Sequence, residues 1–143
     1  MVQDGKVIRK VVLADHYRWL TVGEVFDRVD NIARGLYDLG VRKGDRIVIY
    51  ADTQANWFFC SLAAGKLGAT LVTLYSNLGH SGVVYGMNQT KAKYLITTQE
   101  LMNKLATYVD ELPHLEKIVY FEGKQPHLSG PEVMPQGVPA ISL

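Results

Sequence analysis

This sequence has no long hydrophobic run, a single cysteine and almost no net charge. Each of these features excludes a class of protein. No stretch approaches the about 18 uninterrupted apolar residues that indicate a membrane-spanning helix. Cys60 is the only cysteine, so the chain cannot form an internal disulfide. The 15 basic and 14 acidic residues give a net charge of +1, which provides no basic surface for nucleic acid. We therefore expect a cytoplasmic or peripheral protein.

Motifs that carry chemistry are also missing. The sequence contains no G-x-x-x-x-G-K-[ST] phosphate loop, no G-x-G-x-x-G and no G-x-S-x-G elbow. The histidines His16, His80, His114 and His127 lack metal-ligand spacing to one another or to an acidic residue. Cys60 lies in an apolar run, which favours a buried small side chain over a catalytic thiol. The sequence therefore predicts no catalytic residue and no metal ligand.

A strong helix signal is present near the N-terminus. Thr21 and Glu24 form the pattern of a capping box, in which each side chain accepts from the other residue's backbone N–H. Apolar residues then recur every three or four positions as far as Leu39, and Gly40 follows as a natural helix stop. This pattern predicts an amphipathic helix over residues 22–39.

The rest of the chain alternates between short apolar runs and helical patterns. Four runs predict buried strands, at residues 46–51, 69–74, 94–97 and 117–121. Helices are predicted between them at residues 54–67, capped by Thr53, at 79–88, and at 98–112, capped by Thr98. This order predicts an α/β fold, with a doubly wound, mostly parallel sheet and flanking helices.

The two ends of the chain differ from this pattern. Two β-rich runs, residues 6–13 and 17–20, flank a polar turn and predict a β-hairpin that precedes the sheet. Residues 122–143 carry four of the five prolines and show no periodicity, which predicts a loop or disordered tail. We therefore assign residues 1–121 to the domain and residues 122–143 to the tail.

One segment is a candidate binding site because of its place in the predicted sheet. Tyr75, Ser76 and Asn77 directly follow the second predicted strand. Ligands of open α/β sheets bind beyond the carboxyl ends of the strands. A plain strand-to-helix connection explains the same residues without a ligand, and turn chemistry or helix capping explains Asp52.

The order of several motifs resembles the long-chain acyl-CoA synthetases of the adenylate-forming superfamily. Residues 19–25 resemble the family's L-T-Y-x-E-L motif, and residues 43–53 its P-G-D-x-V-A-I-Y-A-x-T stretch. Residues 71–79 resemble V-V-T-[IL]-Y-A-T-L-G of the long-chain branch, with residues 88–90 in place of N-E-T. The resemblance runs from about Tyr17 to Phe121, so it identifies these residues with the N-terminal portion of the AMP-binding domain.

The resemblance implies an activity and its cofactors. Members of this family join a long-chain fatty acid to coenzyme A through an acyl-adenylate, using ATP and Mg²⁺. It also implies a membrane-associated full-length enzyme, at the endoplasmic reticulum or mitochondrial outer membrane, whose catalytic domain faces the cytoplasm. The family's phosphate loop, nucleotide motifs and C-terminal domain lie downstream of these residues. We therefore expect these residues alone to bind no cofactor and to have no ligase activity.

A second hypothesis assigns the chain to another functional class. The predicted sheet has unpaired edges, and such edges promote association. The chain would then be a non-catalytic interaction module that pairs with a full-length synthetase or with itself.

Overall fold

A computed structural model describes residues 2–3, 6–7, 14–123 and 134–143 of the chain. Its strands are β1 (Val2–Gln3), β2 (Lys6–Val7), β3 (Arg46–Tyr50), β4 (Thr70–Leu74), β5 (Tyr94–Thr98), β6 (Lys117–Phe121) and β7 (Ala140–Ser142). Its α-helices are α1 (Val22–Asp38), α2 (Ala55–Lys66), α3 (His80–Thr90) and α4 (Gln99–Leu105), and a 3₁₀ helix covers Val109–Glu111.

Five of the strands form one sheet in the order β4-β3-β5-β6-β7, and every neighbouring pair is parallel. The chain runs from β3 outward to β4, then returns across β3 to β5. This reversal places a topological switch point between β3 and β5, where the two connections leave in opposite directions. The predicted parallel α/β sheet is confirmed.

The sheet is covered on both faces, and β3 shows how the sequence achieves this. Its alternate side chains point to opposite faces: Ile47 and Ile49 join one buried cluster, and Val48 and Tyr50 join the other. We call the cluster with α1 and α2 the first layer, and the cluster with α3, α4 and the 3₁₀ helix the second layer. These four of the five β3 residues are completely buried, as the continuous apolar run predicts.

Helix α1 begins as the sequence predicts. The Thr21 hydroxyl accepts from the Glu24 backbone N–H at 3.2 Å, and the Glu24 carboxylate accepts from the Thr21 N–H at 2.7 Å. These bonds satisfy two groups that a helix start otherwise leaves unpaired. The helix ends at Asp38, and Gly40 beyond it has a φ of 106°, a conformation that glycine adopts without strain.

The N-terminal hairpin differs from the prediction. The antiparallel pair is β1 with β2, which matches Gln3 to Lys6 and Val2 to Val7. Residues 17–20, the predicted second strand, form no strand. Tyr17 and Trp19 are instead largely exposed, with their rings 5.9 Å apart. Residues 8–13 lie outside the described part of the chain.

The predicted tail contains a strand. Ala140–Ser142 add β7 to the sheet, with Val119 opposite Ile141. The loop prediction was wrong for these residues, because three residues show no periodicity and only pairing with β6 makes them a strand. Residues 124–133 lie outside the described part of the chain.

Four smaller predictions also need correction. Among the described strands, β4 lies at the edge of the sheet, and it is only half-buried. Gln54, not Thr53, is the N-cap of α2, without a side-chain cap hydrogen bond. The helix predicted over residues 98–112 breaks into α4 and the 3₁₀ helix, and Thr98 caps α4 without a side-chain bond. Helix α3 runs two residues further than predicted, to Thr90.

Candidate functional site

The carboxyl ends of β3 and β4 lie side by side and carry the candidate residues. Tyr75, Ser76 and Asn77 form the start of the connection from β4 to α3, in which the Leu78 N–H donates to the Tyr75 carbonyl at 3.0 Å. Asp52 follows β3 on the neighbouring strand. We call residues 75–79 the β4–α3 loop. It lies one strand outside the switch point between β3 and β5.

The three candidate residues have different surroundings. Tyr75 is 80% exposed, and Asn77 is also exposed. Ser76 is half-buried, and its hydroxyl donates to the Asp52 carboxylate. The fold therefore brings Ser76 into a hydrogen bond with Asp52. From the sequence alone, turn chemistry or helix capping accounts for Asp52. Tyr75 and Asn77 are left free to face a ligand.

A small cavity of about 220 Å³ opens between these strand ends. Asp52, Thr53, Trp57 and Tyr75 are among the residues that line it. The residues that line it include one carboxylate and neither lysine nor arginine. Because phosphate groups need cationic or backbone N–H partners, this lining does not fit a triphosphate.

Tyr50 lies directly beneath the β4–α3 loop. Its hydroxyl is 3.3 Å from the Ser76 carbonyl oxygen and 3.3 Å from that of Leu78. The Tyr50 carbonyl accepts from the Thr97 hydroxyl at 2.8 Å, which ties β3 to β5 at the switch point. Sequence reasoning missed Tyr50. The available signal was a polar-tipped side chain at the end of an otherwise aliphatic strand.

The other candidate groups lie apart from this site. Burial raises the pKa of the Cys60 thiol to about 12, so Cys60 is the inert core residue that the sequence favours. His80 pairs with Glu111. Within the described residues, no group of three or more His, Cys, Asp or Glu could hold a metal ion. His127 lies outside those residues.

Comparisons with known proteins identify the family. The family model described as "AMP-binding enzyme" matches residues 3–136. The chain belongs to the AMP-binding enzyme family. It is 35% identical over 119 residues to long chain acyl-CoA synthetase 8 of Arabidopsis thaliana, and 30% identical over 104 residues to long-chain-fatty-acid–CoA ligase 1 of Schizosaccharomyces pombe. The resemblance to long-chain acyl-CoA synthetases is thereby confirmed.

These alignments cover most of this chain but little of the relatives. They include 83% and 73% of the chain, yet the chain spans only 16% and 15% of the two relatives' lengths. The activity of a whole AMP-binding enzyme can therefore be assigned to these residues only as a proposal.

Solved structures share the fold of this AMP-binding chain. Acetoacetyl-CoA synthetase from Streptomyces lividans superposes with a TM-score of 0.71 at 22% identity, covering 84% of this chain and 19% of that one. The anthranilate CoA ligase AuaEII in complex with anthranoyl-AMP gives 0.67 at 24% identity, covering 79% and 24%. At these identities the likeness shows the fold alone.

Across residues 14–123 and the other described segments, no helix is both long and apolar enough to cross a bilayer.

Proposed function

We propose that these residues form the first part of the AMP-binding domain of a long-chain fatty acid–CoA ligase. The family match over residues 3–136 carries this proposal, because it spans nearly the whole chain. The two relatives named above are both described by long-chain acyl or fatty-acid chemistry. The whole enzyme would form an acyl-adenylate from fatty acid and ATP with Mg²⁺, then transfer the acyl group to coenzyme A.

The 143 residues would not catalyse this reaction by themselves. Acyl-adenylate formation requires groups that stabilise the charge on the phosphates. The cavity at the strand ends has a carboxylate, Asp52, and no lysine or arginine in its lining. The sequence also lacks a glycine-rich phosphate loop. We therefore propose that ATP, Mg²⁺ and coenzyme A bind only when the remainder of an AMP-binding domain is present.

Within that domain, Tyr75, Ser76 and Asn77 are proposed to face the substrate. Their position at the carboxyl end of β4 and the exposure of Tyr75 and Asn77 support this role. The lack of lysine and arginine in the lining of the adjacent cavity suits an organic substrate better than phosphate. For the whole enzyme we also propose a membrane-associated location with the catalytic domain in the cytoplasm. Fractionation of cells that express the whole enzyme tests that location.

A chimeric enzyme tests the proposed function. The matching segment of the Arabidopsis synthetase, 119 residues in the alignment, is replaced by the corresponding residues of this chain. Acyl-CoA formation from palmitate, ATP and coenzyme A is then measured beside the unmodified synthetase and a segment-deleted control. We expect activity from the chimera, none from the deletion, and no palmitate-dependent pyrophosphate release from the 143-residue chain. A folded but inactive chimera would contradict the assignment.

A second candidate function, self-association, is favoured by an apolar groove beside the β7 edge. The groove has a volume of about 360 Å³, and Ile32, Leu39, Ile141 and Leu143 are among the residues that line it. Exposed edge strands and apolar grooves pair readily with a second copy. Sedimentation of the 143-residue chain tests this proposal. A dimer that Ile141→Asp dissociates would support it, and a monomer at every concentration would exclude it.

A further inference from the structure

The hydroxyl of the buried Tyr50 side chain contacts two carbonyl oxygens of one loop. Tyr50 is the last residue of β3 and is completely buried in the second layer. Its hydroxyl lies 3.3 Å from each of two carbonyl oxygens, those of Ser76 and Leu78. Carbonyls only accept, so Tyr50 must donate to them. One hydroxyl therefore holds two points of the β4–α3 loop, two residues apart.

Tyr108 is the other hydrogen-bond partner of the Tyr50 hydroxyl. Burial raises the pKa of both phenols, and a hydrogen bond joins the two side chains. Since the Tyr50 proton is directed at the loop, the Tyr108 hydroxyl donates to the Tyr50 oxygen. Both side chains are buried, at 0% and 5% exposure, so losing either hydroxyl leaves a buried polar group without its partner.

His80 and Glu111 lie on the outer side of the two tyrosines. The His80 ring stacks on the Tyr108 ring, with centroids 4.7 Å apart and an interplanar angle of 11°. His80 Nε2 lies 2.7 Å from Glu111 Oε1, and the Asn88 amide donates to the Glu111 backbone carbonyl at 3.0 Å. His80, which stacks on Tyr108, is thus itself held by Glu111 of the 3₁₀ helix.

The β4–α3 loop therefore has an inner anchor and an outer anchor. The inner anchor is Tyr50, which binds backbone carbonyls of the loop. The outer anchor is Asp52, which accepts from the Ser76 hydroxyl. Both anchors belong to the end of β3, which is the neighbour of β4 in the sheet. The loop that carries Tyr75 and Asn77 is consequently fixed to the rigid centre of the sheet.

We propose that Tyr50 is a positioning residue for the substrate-facing loop, and that Tyr108 and His80 orient it. It acts through the backbone of residues 76 and 78 and does not touch the substrate itself. The inference rests on the proposed function, because it assumes that Tyr75 and Asn77 face the acyl or adenylate group. The position of the loop, however, can be measured without any substrate.

Hydrogen exchange of the 143-residue chain tests the anchor directly. Tyr50→Phe removes only the hydroxyl, so the Leu78 and Gly82 amides, which donate to loop carbonyls, should exchange about three- to tenfold faster. Tyr94→Phe is the matched control, since it removes a buried hydroxyl from the other layer. His80→Glu is a surface variant that places a carboxylate beside Glu111, and we expect it to accelerate the same amides.

Kinetics of the chimera separate positioning from simple loss of stability. Tyr50→Phe in an active chimera should raise KM for palmitate several-fold while kcat changes less, and Tyr94→Phe should change neither. Unchanged exchange at Leu78 in Tyr50→Phe and His80→Glu would overturn the positioning role, even if the chimera is active. An inactive chimera with faster exchange in both variants would instead overturn the proposed function and leave the anchor established. Uniformly faster exchange across all strands would mean that Tyr50 is only a core residue, which also overturns the proposal.

Discussion

The two layers that cover the sheet are similar in size but differ in where their polar contacts lie. In the first layer the core is apolar, and polar contacts lie at its rim, as in the Lys66–Asp30 ion pair and the Arg28 guanidinium 5.7 Å from the Phe59 ring centroid. In the second layer hydrogen bonds pass through the interior, from Tyr108 to Tyr50 and on to the β4–α3 loop. Apolar packing stabilises the sheet without directing any one loop, whereas a buried hydroxyl selects one loop conformation. Apolar packing in both layers therefore stabilises the sheet, and the second layer in addition holds the β4–α3 loop.

The largest effect is expected from a cavity in the first layer. Leu36 is 2% exposed and packs between α1 and the sheet. Leu36→Ala should lower the free energy of unfolding by about 2–5 kcal/mol, because it removes buried methyl groups and leaves a void. Urea denaturation followed by circular dichroism measures this change.

Val22 on the same helix provides the control for this cavity. It is 72% exposed, although the periodicity places it with the apolar face. Val22→Ala should change stability by no more than about 0.5 kcal/mol. Equal losses for Leu36→Ala and Val22→Ala would contradict the assignment of the first layer as a stabilising core.

A smaller loss of stability is expected at the N-terminus of helix α1, which belongs to the first layer. Thr21→Ala removes the capping hydroxyl of α1 and should cost about 1 kcal/mol in unfolding free energy. Thermal unfolding at pH 7 measures it. A stability equal to wild type would mean that the capping box is not formed in solution.

The capping box of α1 also predicts that the stability of the fold depends on pH. Hydrogen bonds from the Thr21 backbone N–H and hydroxyl hold the pKa of the Glu24 carboxyl below its usual value of 4.5. A lowered pKa in the folded state adds stability that is present above pH 4.5 and is lost as the pH falls through the folded-state pKa. The stability difference between wild type and Glu24→Gln should therefore shrink in acid. A difference that grows below pH 4.5 would contradict the sign of this shift.

The smallest effect is expected at the outer anchor of the loop. Ser76→Ala removes an exposed hydrogen bond to Asp52 and should change global stability by less than about 0.5 kcal/mol. Exchange at the Leu78 amide should rise less than in Tyr50→Phe, because water can replace an exposed partner but not a buried one. A larger rise in Ser76→Ala would mean that the outer anchor holds the loop.

Local patterns predicted most of the sheet, because buried strands and capped helices leave strong signals. The capping box at Thr21 and the apolar run of β3 lie where expected. Features that depend on distant partners were not predicted. Strand β7 exists only through pairing with β6, and β4 is half-buried only because it lies at the edge.

The candidate site was predicted in part for the same reason. Tyr75, Ser76 and Asn77 follow from the rule that loops at strand ends bind ligands. Their contacts do not follow from it, because Asp52 lies 24 residues from Ser76 and the Tyr50 hydroxyl reaches residues 26 and 28 positions away. No local pattern reports contacts at such separations. Whether the three residues face a substrate stays a prediction.

One pair of probes tests the division between the layers most directly. Cys60 is buried in the first layer, and burial raises its thiol pKa to about 12, so thiol labelling at neutral pH reports opening of that layer. Exchange of the Leu78 amide reports the loop above the second layer. Both rates are measured in wild type, Leu36→Ala and Tyr50→Phe. We predict that Leu36→Ala mainly accelerates Cys60 labelling and that Tyr50→Phe accelerates only Leu78 exchange. Equal acceleration of both probes by both variants would contradict the division.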